Sequence, residues 1–285
     1  MSSAAGDERD GHLVRLLEAS IVHKTVPSEV LIGDYDPVDH GARFWVSLPP
    51  THRTVPVGAS TPPAVLLLEL VRQLGIATAH LALQVPPEWV FIANSIQFSW
   101  LNEPMGFPPH GPLLVVADVQ TTDLRRRKGV VSRLAMRASI RCTGGSLVAK
   151  ADGALSCLPR ASYRVIRRNA RHGSSQHTRT DKAVLNAVER SGNTLSASIG
   201  WDWRDRFQFD HDADHLPGMV LAAAVIDAHK EFSGGVEPYQ MSVILHQYAE
   251  LACQPILTAR VARGDGRTEA EIAQSGRIVA SACNR

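Results

Sequence analysis

Two apolar runs that open on proline recur at a fixed spacing, and they constrain the fold of this chain more than any other feature. Pro63-Ala64-Val65-Leu66-Leu67 superposes on Pro217-Gly218-Met219-Val220-Leu221 with an offset of 154 positions. The first run continues to Leu83, and its length and content of Leu and Ala make it a helix. Proline at the first turn forfeits no hydrogen bond, so Pro63 and Pro217 mark two helix starts. A helix apolar nearly all round has to be enclosed. Short runs rich in Val, Ile and aromatics, punctuated by Gly, Pro or Asp, supply the wrapping at 43–48, 89–100, 113–120, 130–141 and 146–158. After a polar, Arg-rich stretch the order repeats, with strand-like runs at 194–200, 240–246, 255–262 and 277–282. One helix wrapped by an antiparallel sheet, made twice, is an α+β design in duplicate, packed as a pseudo-dimer within one chain. The expected organisation is a polar leader at 1–18, a first repeat at 19–160, a linker at 161–182 and a second repeat at 183–285.

Composition narrows the function classes. The 285 residues are 44% apolar and 20% charged, which suits one large core or two cores of about 140 residues each and excludes disorder. Thirty basic against twenty-eight acidic residues leave +2, too little for a dedicated nucleic-acid binder. No eighteen uncharged apolar residues run together, so no membrane span is expected. Asp7, Glu8 and Asp10 make the first ten residues unlike a secretory leader, and the chain reads as cytoplasmic. Cys142, Cys157, Cys253 and Cys283 are widely spaced, which fits reduced thiols and offers no zinc site.

Few polar residues interrupt the first helix: Glu69, Arg72, Gln73 and His80, spaced to share one face. A buried carboxylate and guanidinium must pair or face a wet cavity, so they form either a simple i,i+3 ion pair or a catalytic stripe. The spacing alone leaves both open. Two Asp-His pairs, Asp210-His211 and Asp214-His215, precede the second helix, but Pro217 and Gly218 place them in a loop, where a metal role is disfavoured. No metal and no cofactor is expected, and Asp214 has a plain alternative as a helix cap. Arg125-Arg126-Arg127-Lys128-Gly129 reads as a solvated hairpin turn; joined with Arg160, Arg164, Arg167 and Arg168, it would instead dock an acidic carrier protein. No Gly-rich phosphate loop, G-x-S-x-G elbow or dinucleotide fingerprint is present.

Val22-His23-Lys24, the Leu-Pro-Pro-Thr-His run ending at His52, Leu68-Glu69-x-x-Arg72-Gln73 and the stretch from Phe209 to Leu221 (FDHDADHLPGMVL) together resemble the A-factor biosynthesis hotdog family. The resemblance spans roughly residues 20 to 283. It implies a tandem double hotdog and a γ-butyrolactone-type signal: a β-ketoacyl group passes from an acyl carrier protein thioester to the hydroxyl of dihydroxyacetone phosphate or a similar acceptor. The implied partners are an acyl carrier protein or acyl thioester and that acceptor, with no nucleic acid or membrane, and a homodimer is compatible.

By the same resemblance Glu69 would be the base, with His211 and His215 as further catalytic residues. Arg72, Gln73 and Gly218 would bind substrate, Arg72 holding the acceptor phosphate. Backbone amides near Ala64 or Gly218 would stabilise the oxyanion. The chain departs from the family on the second helix, where Ala223, Ile226 and Asp227 replace the second Glu-x-x-Arg-Gln set. One working site is therefore expected, built from Glu69, Arg72, His211 and His215, with His52 structural and facing the second helix. A dehydratase or thioesterase and a catalytically degenerate acyl-binding scaffold are the alternatives.

Overall fold

The structure, a computed structural model, describes residues 14–170, 184–210, 213–262 and 266–285. Residues 1–13 of the expected leader and 171–182 of the expected linker lie outside these. The first half contributes β1 (Ile32–Val38), β2 (Gly41–Leu48), helix α1 (Ala64–Ala77), β3 (Val90–Trp100), β4 (Leu113–Arg127), β5 (Val130–Cys142) and β6 (Leu147–Leu158). A helix α2 (Arg160–Arg167) follows, then β7 (Leu185–Ser191), β8 (Thr194–Ile199), the short β9 (His215–Leu216) and helix α3 (Gly218–Ser233). The chain closes with β10 (Gln240–Leu245), the short β11 (Ala249–Glu250), β12 (Ile256–Val261), β13 (Thr268–Gln274) and β14 (Arg277–Asn284).

Twelve strands form one antiparallel sheet in the order β1-β2-β4-β5-β6-β3-β10-β14-β13-β12-β8-β7. Its two halves join edge to edge where β3 pairs with β10, in a register that sets Phe98 opposite Met241 and Ile96 opposite Val243. This is the tandem double hotdog. The helices start at Ala64 and Gly218, each after its proline, and so keep the offset read from the sequence.

Alternation along the strands builds the core. Leu113, Val115, Ala117 and Val119 of β4 point inward while their neighbours are partly exposed. Small residues let α1 lie close to the sheet: a Cβ added to Gly75 would stand 2.8 Å from Leu155 Cδ1 and 3.3 Å from Met136 Cε. Thr78–Ala82 extends α1 as a π-helical turn, an irregularity frequent at functional sites. Helix and extension together are apolar and long enough to cross a membrane, but 78% of that span is buried inside the protein.

The start of the expected linker is helical. Tyr163 and Arg167, four residues apart on one face of α2, make hydrogen bonds with Asp214 and Glu250 of the second half, and such tertiary contacts stabilise a helix too short to persist alone.

Candidate functional site

Glu69 is fully buried on α1, and both of its oxygens are occupied. Arg72, one turn on, grips it bidentately, Nε donating to Oε2 and Nη2 to Oε1, both at 2.8 Å. Gln73 Nε2 donates to Oε1 at 2.9 Å, and Lys24 Nζ lies 3.4 Å from the same oxygen. Burial alone would raise the Glu69 pKa; the Arg72 guanidinium, the Lys24 ammonium and the hydrogen bonds outweigh it and hold the carboxyl below its usual value. Glu69 is thus an ionised anchor with little spare basicity. Burial lowers and Glu69 raises the Arg72 pKa, with a net rise.

Lys24 carries the centre across to the second half. Its Nζ donates to the Phe207 carbonyl at 3.1 Å and lies 3.4 Å from Asp210 Oδ2. Thr25 Oγ1 donates to the Asp210 carbonyl at 2.7 Å, so the chain around Lys24 is stitched to the loop ahead of α3. Next to Lys24, His23 holds a left-handed backbone, φ 53°, and its Nε2 is 3.0 Å from His80 Nε2. His80 Nδ1 donates to the Val85 carbonyl at 2.7 Å, and burial lowers the His80 pKa; the Phe91 ring meets both imidazoles in T-shaped contacts.

On the other side of Gln73 stands Glu29. The Gln73 amide donates to the Glu29 carbonyl at 2.7 Å, and its oxygen accepts from Leu31 N at 2.9 Å. Glu29 Oε2 is 3.2 Å from His52 Nε2, and the His52 ring meets Phe207 edge-on. His52, expected to face the second helix, is therefore beside the Glu69 centre. Its place is set by the turn after β2, where Thr54 holds its Nδ1.

A second polar cluster surrounds His215. Its Nδ1 donates to Asp214 Oδ1 at 2.6 Å, and Tyr163 donates to the same oxygen at 2.6 Å. Arg167 Nε donates to Asp214 Oδ2 at 3.0 Å, while its Nη1 and Nη2 clamp Glu250 at 2.7 and 2.8 Å. Tyr248 packs against both the His215 ring and the Arg167 guanidinium. Burial works to raise the Asp214 pKa, but the His215, Tyr163 and Arg167 hydrogen bonds outweigh it and hold the carboxyl well below the ordinary range. Arg167 is thus turned inward and withdrawn from the alternative basic set that would dock a carrier, while residues 125–129 form the exposed end of the β4–β5 hairpin.

Of the residues singled out in the sequence, the structure unites Glu69, Arg72 and Gln73 with Lys24 and Asp210. His211 lies outside the described residues. The polar contacts of His215 belong to the second cluster. Gly218 packs against β10, where an added Cβ would stand 2.7 Å from Leu245 Cδ1. The Ala64 amide, considered as an oxyanion donor, is taken: it donates to Glu237 Oε2 at 3.0 Å, and Glu237 also pairs with Lys230 of α3. Among the described residues no group of three or more His, Cys, Asp or Glu is arranged to hold a metal. Sequence reasoning missed Glu29 altogether and gave Lys24 and Asp210 no role. Lys24 and Asp210 stood inside the quoted motifs, whereas Glu29 lay outside them, after Val22-His23-Lys24.

A curated relative, the 2-oxo-3-(phosphooxy)propyl 3-oxoalkanoate synthase of Streptomyces virginiae, is 26% identical over 252 residues, covering 81% of this chain and 82% of its own. Among solved structures, an oleoyl thioesterase (putative) from Lactobacillus plantarum superposes with a TM-score of 0.57 at 9% identity, over 86% of this chain and 95% of its own. The tesB protein of Mycobacterium avium subspecies paratuberculosis gives 0.52 at 13% identity, over 88% and 94%. At those identities the likeness concerns the fold alone. The family model described as the A-factor biosynthesis hotdog domain matches residues 6–159, more than half of the sequence, and the chain belongs to that family.

Proposed function

We propose that the protein makes the ester precursor of a γ-butyrolactone-type signal, transferring a 3-oxoacyl group from a carrier-bound thioester to the hydroxyl of dihydroxyacetone phosphate or a close analogue. The observation that carries this reading is convergence. Lys24, Glu69-x-x-Arg72-Gln73 and Asp210 come from separate motifs, yet they meet in one buried ionic centre bridging the two halves, with His52 beside it against Glu29 and Phe207. The relative's name supplies the chemistry, an ester between a 3-oxoalkanoate and a phosphorylated three-carbon ketone.

In this reading Arg72 receives the acceptor phosphate. Its side chain is 19% exposed, Nε and Nη2 are committed, and Nη1 makes no hydrogen bond among the described residues. A planar fork held rigidly by Glu69 presents that remaining edge without paying further side-chain entropy. Glu69 acts as the anchor that fixes Arg72 and Lys24, and Lys24 adds positive charge beside it. His215, its Nδ1 oriented by Asp214, points to proton transfer through the other ring nitrogen at the second cluster.

Incubation with a 3-oxoacyl N-acetylcysteamine thioester and dihydroxyacetone phosphate tests the reading by mass spectrometry. The phosphorylated ester is the expected product. Free acid alone would identify a thioesterase, and no turnover alongside tight acyl binding would identify a scaffold.

A further inference from the structure

Beside the Glu69 centre are two buried polar atoms that no neighbour satisfies, and their needs are complementary. Glu29 and His52 are 3% and 5% exposed. Glu29 Oε2 and His52 Nε2 stand 3.2 Å apart, yet neither makes a hydrogen bond, so the contact is near but out of line. Leaving such groups unmatched away from water forfeits their solvation with nothing in return. Native structures rarely keep that arrangement without a reason.

The surroundings fix where the proton lies. The Thr54 backbone N–H donates to His52 Nδ1 at 3.3 Å, with Thr54 Oγ1 2.8 Å from the same nitrogen. An amide only donates, so Nδ1 keeps its lone pair and the neutral ring carries its proton on Nε2. The unmatched pair is therefore one N–H donor and one carboxylate acceptor. A hydroxyl satisfies both at once, giving its single proton to Glu29 and one lone pair to His52. Its second lone pair stays free to attack.

Position supports the same reading. The Gln73 amide donates to both the Glu29 carbonyl and Glu69 Oε1, so one side chain ties this pair to the Arg72 edge. Both oxygens of Glu69 are filled by hydrogen bonds. Glu29 has an oxygen to spare.

We propose that Glu29 and His52 receive the acceptor hydroxyl and that Glu29 is the general base of the acyl transfer. This rests on the acyl-transfer reading given above. As the hydroxyl oxygen bonds to the thioester carbonyl carbon, its proton passes to Glu29 Oε2. The tetrahedral intermediate then collapses, the C–S bond breaks, and the proton returns from Glu29 to the departing thiolate. The products are the ester and the free thiol. His52 holds the oxygen in line and gains no proton.

Wild type, Glu29→Gln and Glu29→Asp are assayed with one 3-oxoacyl N-acetylcysteamine thioester and a series of acceptor alcohols of graded acidity, after circular dichroism melting shows each to be folded. Glu29→Gln is expected to lose roughly 10²–10⁴-fold in kcat with little change in acceptor KM. That loss shrinks as the acceptor hydroxyl becomes more acidic, because a readily ionised alcohol needs less help from a base. A purely structural role would not produce this trend. Glu29→Asp retains the carboxylate at shorter reach, so it shows an intermediate rate with the same trend, and it decides the matter if the Gln variant does not fold. Undiminished kcat, or a loss equal for every alcohol, overturns the assignment of Glu29 alone. Absence of ester from the wild type with every alcohol overturns the acyl-transfer reading and this inference with it.

Discussion

Glu69 can stay ionised inside a helix that the sheet encloses because two cations and an amide replace the water it lost. The same bonds make it costly to change. Glu69→Gln leaves Lys24 and Arg72 short of a counter-charge and should destabilise the fold by about 3–5 kcal/mol, read from urea unfolding. Arg72→Ala should weaken acceptor binding by about 2–4 kcal/mol in calorimetric titration. Arg72→Lys should not restore it, since one ammonium cannot hold both Glu69 oxygens and a phosphate together. Burial also sets thiol reactivity: it pushes the Cys157 pKa up to about 12, while Cys142, Cys253 and Cys283 are partly exposed. Iodoacetamide on the native protein at neutral pH should spare Cys157, and its labelling at the rate of the other three would contradict the packing. The ion pair on α1 was legible from its i,i+3 spacing. Glu29 was not, because its worth lies in which atoms the fold leaves beside it.

At the scale of elements, legibility followed burial. The helices announced themselves through proline and continuous apolar length, and the central strands β3, β5 and β6 through Val, Ile and Leu. The outermost strands β1 and β7 escaped notice because an edge tolerates polar residues and even Pro37. In β13 the alternation of Thr268, Ala270 and Ile272 with exposed Glu269 and Glu271 was masked by its charge. Helix α2 was illegible for another reason: its stability comes from distant Asp214 and Glu250, not from its own sequence. Arg167→Met should therefore cost about 2–4 kcal/mol, since it leaves those two carboxylates facing each other. The pH dependence has a definite sign. The folded Asp214 pKa is depressed, so its stabilisation is present above the unfolded value of about 3.9 and fades as pH falls below it. The gap in melting temperature between wild type and Arg167→Met should be wide at pH 7 and narrow toward pH 3. A gap independent of pH would mean that Arg167 works through packing on Tyr248 instead.

The whole molecule is duplicated in fold but not in chemistry. Its halves share the β3–β10 pairing, the Lys24–Asp210 contact, the Arg53–Asp205 ion pair and the Glu237 carboxylate that joins the start of α1 to Lys230 of α3. Such ties make one half the support of the other. On α1 the spaced polar set collects Lys24 and Asp210 into an ionic centre; on α3 the equivalent positions hold half-buried Ala223 and buried Ile226, which offer neither carboxylate nor guanidinium. In the function proposed, a phosphorylated acceptor needs a fixed cation in a site partly shielded from water, and of the two helices related by the repeat, α1 presents one in Arg72. Calorimetric titration with dihydroxyacetone phosphate should accordingly give one site per chain, abolished by Arg72→Ala. Two sites, or one that survives Arg72→Ala, would place acceptor binding elsewhere, with the Arg167 cluster the first to examine. Building the missing set into α3 as Ala223→Glu with Ile226→Arg should not create a second site. Ile226 is packed in the apolar core, and a guanidinium there would lack the counterparts of Lys24, Gln73 and Asp210 that satisfy the first centre, so the expected result is loss of stability with the stoichiometry still at one.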